Sequence, residues 1–324
     1  MRYKICIVCY KYHLDPKVHL RGVHKAFESK FDVTRHFADN LWPDKVSDIE
    51  NYSSFDAIIW YVHFRDLKTK ESFDWQDYKG LRLMYEEDAF NNFQDIKGVN
   101  YDFNCWPEVY RKHNFQALIV TGKKTCNNLI QDGVNAYWIP KGYDDTTIYD
   151  KGQPRKGICY YGIKYPARRA MLHYLNKRGI LFSRIKCPYD RLNDNLNKFQ
   201  ICLVCNMTGI IKRGIVNKWI NFLSPSSMIS YKPGPEVMIK NFEIAGSGCV
   251  LFCDYIDELN DLGFKDGETV VTYKNFAELV DKINYYSKYP EKLEMISANA
   301  LKLAVKHTLK YRMNMFEDLF NKLK

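Results

Sequence analysis

The chain has 324 residues, 46% of them hydrophobic and 27% charged, with a formal net charge of +10. That length suits two domains, and the composition excludes a disordered or fibrous chain. No apolar run reaches the roughly 18 residues of a membrane span, and the six-residue apolar run in MRYKICIVCYKYH is too short for a signal-peptide core, so a cytoplasmic protein is expected.

Short apolar runs alternate with helical stretches from the start. Residues 3–10, 31–37, 55–64, 80–88, 115–122 and 135–142 read as strands. Residues 19–29 and 123–133 read as helices, the second stopping at Gly133. A polar stretch, 143–157, breaks the pattern. Strands then resume at 157–162, 180–186, 199–206, 249–254 and 268–273, with helices at 166–179 and before Gly246 and Gly248. Phe276, Leu279, Val280, Ile283 and Tyr286 keep helical spacing, and Pro290 opens another helix. A last helix follows His307, with Tyr311, Met315, Leu319 and Phe320 expected on its inner face. Such alternation predicts parallel sheets covered on both faces. The expected architecture is α/β: two doubly wound domains, 1–150 and 151–306, facing a cleft, and a C-terminal helical tail, 307–324, that packs back on the first domain.

Ten cysteines fit a reducing compartment. Cys6/Cys9 and Cys202/Cys205 have C-x-x-C spacing, but i and i+3 point to opposite faces of a strand, so shared metal binding is not expected. No D-x-D element follows a strand, and no essential metal or other cofactor is expected. The positive charge favours anionic partners: nucleotide phosphates, an anionic membrane face or nucleic acid.

Open parallel sheets bind ligands beyond the carboxyl ends of their strands. In the second domain Gly162 ends a strand, and Arg168 and Arg169 open the next helix, a ready phosphate site or else a solvated helix face. Lys240 and Glu243 stand one helical turn apart. An exposed ion pair explains that spacing. So does a nucleoside diphosphate, with the lysine on phosphate and the carboxylate accepting ribose hydroxyls. In the first domain Asp88, at the end of strand 80–88, is the candidate base, or a cap of the next turn. His63, at a strand end, is the runner-up base, and His13 lies in the loop after the first strand. Residues 210–223 read as a basic amphipathic helix, packed on the sheet or resting on an anionic membrane.

The string VMIKNFEIAGSGCVLFCDYIDEL…FKDGETVVTYKNFAELVDKINYY resembles the C-terminal half of GT-B glycosyltransferases, and the group annotated CgeB-like or glycosyl transferases group 1 in particular. YYGIKYPARRAMLHYL and GVNAYWIPKGYDDTTIY resemble further segments of that group, so the likeness covers roughly residues 80–320. It implies a UDP-sugar or related nucleotide diphosphate sugar as co-substrate. Glu243 is then on the donor ribose, Lys240 and Arg168 or Arg169 on the diphosphate, and Gly162 and Gly246 in the donor site. Members that retain configuration carry two glutamates with seven residues between them; here six residues lie between Glu236 and Glu243. Asp88 resembles the base of the inverting phage DNA β-glucosyltransferases, whose R-x-x-W-E parallels Lys240–Glu243. The expected function is sugar transfer to a hydroxyl of a surface glycan or lipid-linked oligosaccharide at the inner membrane face. The alternatives are transfer to hydroxymethylated DNA, or a non-catalytic nucleotide- or DNA-binding protein.

Overall fold

The computed structural model describes residues 2–89, 106–163, 166–206 and 236–324, so the expected helix at 210–223 lies outside the described residues. The chain forms two compact units, Met1–Lys141 with Leu309–Lys324, and Gly142–Thr308.

The first unit contains β1 (Lys4–Cys9), α1 (Leu20–Lys30), β2 (Asp32–Phe37), β3 (Ala57–Trp60), α2 (Phe64–Lys68), β4 (Leu81–Glu86), α3 (Trp106–His113), β5 (Ala117–Val120), α4 (Lys123–Gln131) and β6 (Ala136–Trp138). Its sheet has the order β2-β1-β3-β4-β5-β6, every pairing parallel. Side chains alternate across the strands: Cys6 and Val8 enter the core on one face, Ile5, Ile7 and Cys9 the core on the other. Both faces are covered, which explains the near-continuous apolar runs. The run at 55–64 is a strand only to Trp60, because Phe64 already opens α2 and its N–H donates to the Glu86 carboxylate at 2.9 Å.

The second unit contains β7 (Ile158–Tyr161), α5 (Pro166–Lys177), β8 (Ser183–Ile185), α6 (Leu192–Leu196), β9 (Ile201–Val204), α7 (Ile239–Gly246), β10 (Val250–Asp254), α8 (Glu258–Asp261), β11 (Val271–Tyr273), α9 (Phe276–Lys288) and α10 (Pro290–Ala304). Its all-parallel sheet has the order β11-β10-β9-β7-β8. The Asn275 side chain caps α9 by accepting the Glu278 N–H at 2.9 Å, and Pro290 begins α10 where its missing N–H is harmless.

The last helix, α11 (Leu309–Leu323), belongs to the first unit. Leu309, Met313, Phe316, Leu319 and Phe320 join the α1 side of that unit's core, and the Phe316 ring meets Phe27 at 4.9 Å. Tyr311, expected on the inner face, is 46% exposed; the buried stripe starts at Leu309 and runs through Met313 and Phe316.

Candidate functional site

In each sheet the strand order reverses beside the first strand of the unit: between β1 and β3, and between β7 and β9. The crevice outside the strand ends at such a point is where doubly wound sheets take ligands.

At the β7 end, Gly162 has φ +87°, in the left-handed region that favours glycine. A Cβ there would meet Lys240 Nζ at 1.9 Å and Arg168 NH1 at 3.4 Å. Two cationic side chains from two helices therefore converge on one bare piece of backbone. Arg168 is 1% exposed; its NH1 donates to the Ile163 carbonyl, while its Nε is buried without a hydrogen-bond partner. Burial, helped by the Arg168 charge, lowers the Lys240 ammonium to about 8. Two buried cations side by side repel each other, which the Glu243 charge offsets only in part, and a bound polyanion relieves that cost.

Glu243, one turn after Lys240 on α7, is buried at 2% exposure, which rules out a solvated surface pair. The Tyr161 hydroxyl donates to its Oε2 at 2.6 Å, and Tyr189 hydrogen-bonds the same carboxylate. Lys240 Nζ donates to the Tyr161 carbonyl at 3.2 Å and lies 5.0 Å from that ring's centroid. Arg169 is on the exposed side of α5, away from this cluster, so of the two arginines only Arg168 belongs to it. Gly246 has a different role from the one expected: a Cβ there would meet the Tyr143 ring at 2.4 Å, so the glycine allows α7 to pack on Tyr143. Glu236 is buried three residues before the start of α7.

In the first unit, Glu86, Glu87 and Asp88 follow one another at the end of β4. Glu86 is buried and accepts three hydrogen bonds: from the N–H of Phe64 at 2.9 Å, from the N–H of Asp88 at 3.0 Å and from His63 Nδ1 at 3.0 Å. The Glu86 charge raises His63 to about 9 against the opposing effect of burial. Protonated in this way, His63 is a hydrogen-bond donor at neutral pH, and of the two candidate bases Asp88 is the better placed to accept a proton. Glu87 accepts from Tyr61 at 2.7 Å and Tyr85 at 3.2 Å, with His19 at 3.4 Å. Burial disfavours its charge, but His19, Lys141 and Tyr61 prevail and hold it near 2. Asp88 keeps 47% of its side chain exposed and accepts from Lys141 at 3.2 Å. Enclosure by neighbouring protein opposes its ionisation, and the Lys141 ammonium outweighs that, leaving the carboxyl below its ordinary range. Of the three carboxylates, Asp88 is the most accessible to an incoming hydroxyl.

His13 and His24 are buried beside Cys9, with ligand-type atoms within 4.8 Å of one another. Arg35 Nε donates to His24 Nδ1 at 3.3 Å, and His24 Nε2 lies 3.5 Å from His13 Nδ1. An arginine can only donate, so His24 carries its proton on Nε2 and has no lone pair left for a metal. The cluster is a hydrogen-bonded chain, and His13 stays neutral because burial lowers it to about 4. The sequence reading missed Tyr161, Tyr189, Glu86 and Glu87; the string EED after an apolar strand was the available signal for the last two.

A family model described as glycosyl transferase-like matches residues 185–318. No curated protein sequence matches the chain. Among solved structures, the chain is similar to sucrose-phosphate synthase from Thermosynechococcus elongatus, at TM-score 0.64 and 12% identity over 99% of each chain. It is similar to HepE of Anabaena, solved with UDP and glucose, at TM-score 0.63 and 9% identity over 99% of this chain and 100% of that one. It is similar also to the T4 phage β-glucosyltransferase, at TM-score 0.57 and 12% identity over 99% of each. The two switch-point sheets thus share the fold of the GT-B glycosyltransferases, and residues 185–318 match the glycosyl transferase-like family model.

Proposed function

We propose that this protein transfers a sugar from a nucleoside diphosphate sugar, a UDP-sugar, to a hydroxyl of a glycan or lipid-linked acceptor. The observation that carries the reading is the convergence of Lys240 and Arg168 on Gly162, one helical turn from the buried Glu243. In this reading the cations take the diphosphate, Gly162 admits it to the backbone, and Glu243 takes the ribose hydroxyls. Solved structures of similar fold hold UDP with glucose, or UDP-glucose. Asp88 accepts the proton of the acceptor hydroxyl as its oxygen bonds to the anomeric carbon from the face opposite the sugar–phosphate bond; that bond breaks, the nucleoside diphosphate leaves, and this single displacement inverts the anomeric carbon. With two protein cations to neutralise the leaving diphosphate, activity is expected to persist in a chelator. Calorimetric titration tests the donor site: Glu243→Gln and Lys240→Ala should each weaken UDP at least tenfold, Lys240→Ala with little effect on uridine. Unchanged UDP affinity in both variants rejects the site. Release of UDP from UDP-sugars separates an enzyme from a silent nucleotide-binding protein.

A second reading is a DNA acceptor. It is favoured by the net charge of +10 and by similarity, at TM-score 0.58 over 98% of the chain, to a DNA-modifying β-glucosyltransferase solved with and without uridine diphosphoglucose. Retention on hydroxymethylated duplex with a steep salt dependence supports it, and equal indifference to duplex at low and high salt rejects it. Among the described residues no helix is long and apolar enough to cross a membrane, and contact with an anionic membrane through 210–223 remains a proposal from sequence.

A further inference from the structure

Tyr161, the last residue of β7, touches both halves of the candidate donor site. Its hydroxyl donates to Glu243 Oε2 at 2.6 Å; its carbonyl accepts from Lys240 Nζ at 3.2 Å, and its ring face lies under the same ammonium at 5.0 Å. The side chain is 8% exposed and held by a central strand, so the hydroxyl has little freedom to wander. Burial and the Glu243 charge push its ionisation far up, so it remains a donor throughout the physiological range. A hydroxyl donating to a carboxylate belongs to the short, charge-assisted class of hydrogen bonds.

A carboxylate offers about four lone-pair directions on two oxygens and has no proton to donate. With one direction of Oε2 taken by Tyr161 and another of the carboxylate by Tyr189, the group is held in place and about two directions remain, which suit two neighbouring hydroxyl donors. A 2′,3′-diol supplies two. A 2′-deoxyribose supplies one and leaves a buried acceptor without its partner, the situation in which polar sites discriminate most strongly.

We propose that Tyr161 is a positioning residue that makes Glu243 a reader of the ribose diol, so that the donor is a ribonucleoside rather than a 2′-deoxyribonucleoside diphosphate sugar. The inference rests on the donor-site reading above. Tyr189 gives Glu243 a second phenol from the turn after β8, so removing the Tyr161 hydroxyl does not leave the carboxylate without a partner, and Tyr161→Phe is expected to fold.

The test measures binding of UDP, GDP, ADP and CDP to the whole chain, then sets the tightest binder against its 2′-deoxy analogue and against inorganic pyrophosphate. The wild type should prefer the ribonucleotide at least tenfold. Tyr161→Phe should cut that preference below threefold while pyrophosphate affinity changes less than threefold, since the carbonyl and ring that hold Lys240 remain. Replacing Tyr161 by 3-fluorotyrosine, which keeps the bond and the packing with a more acidic hydroxyl, should hold or raise the preference. If none of the four diphosphates binds, the donor-site reading fails and takes this inference with it. If one binds but ribose and deoxyribose are equal, the diol reading alone is overturned. If the preference survives in Tyr161→Phe, or falls in the fluorotyrosine chain, Tyr161 is not the positioning residue.

Discussion

Asp88 and Lys240 each carry a charge that their surroundings decide. Asp88 is ionised at neutral pH, half-exposed and paired with Lys141 at 3.2 Å. A base of this kind contributes about 10²–10⁴-fold to rate. Asp88→Asn should therefore lower turnover of a UDP-sugar by about that factor while UDP affinity, measured by calorimetry, stays within about threefold; full turnover in the variant removes the assignment. Lys240 gives a pH signature. Its folded value near 8 lies below its ordinary 10.5, so between those values the unfolded chain binds more protons and stability rises with pH. In the proposed donor site diphosphate binding runs the other way, because the Lys240 ammonium assigned to it is lost above pH 8. UDP affinity should fall by up to about tenfold per pH unit from 8 to 10 in the wild type and far less in Lys240→Gln, where no titrating cation remains. His63 shows how far a neighbour can overturn a residue's ordinary role. Its place at a strand end was visible in the sequence, but its pairing with the Glu86 carboxylate was not, and that carboxylate raises it to about 9 and favours its protonated form.

The turn from β7 into α5 concentrates the site's geometry in one glycine. Gly162 and Gly133 have nearly the same φ, +87° and +81°, but a side chain at Gly133 meets nothing within 4 Å, whereas one at Gly162 strikes Lys240. Alanine at either position should cost about 1–3 kcal/mol of backbone strain, read as a lower melting temperature. Only Gly162→Ala should also weaken UDP, by about tenfold or more, as the displaced ammonium loses 1.4 kcal/mol or more of phosphate contact. Equal UDP affinity in both variants would show that the glycine serves the turn alone. The helices tell the same story of ends and faces. Periodicity located α9, α10 and α11 within a few residues, yet the inner face of α11 was misplaced at Tyr311, because a 3.6-residue period leaves the phase of the stripe open until a partner surface fixes it.

At the scale of the molecule, the chain leaves the first unit at Lys141 and returns to it at Leu309. Phe316 is 1% exposed in that unit's core, against Phe27, Tyr85 and Phe320. Phe316→Ala should destabilise by about 3–5 kcal/mol, seen in chemical denaturation, and ending the chain at 308 should expose the α1 side of the core and make the product aggregate. A truncated chain that stays soluble and cooperatively folded would show that α11 is dispensable to that core. The alternation of strands and helices, the parallel sheets, the position of Gly162 and Asp88 just past strand ends and the placing of Lys240 and Glu243 one turn apart on one helix were set by the sequence alone, because periods of 2 and 3.6 residues and turn chemistry are local properties. Which arginine joins Lys240 at Gly162, why a side chain at Gly246 would strike Tyr143, and which groups hold Glu243 and His63 were decided only by tertiary structure. Arg168 and Arg169 are neighbours in sequence, yet one is buried and the other exposed, and Tyr161 lies 82 residues from the carboxylate it holds. Contacts of that range follow from strand order and packing, which no local pattern encodes.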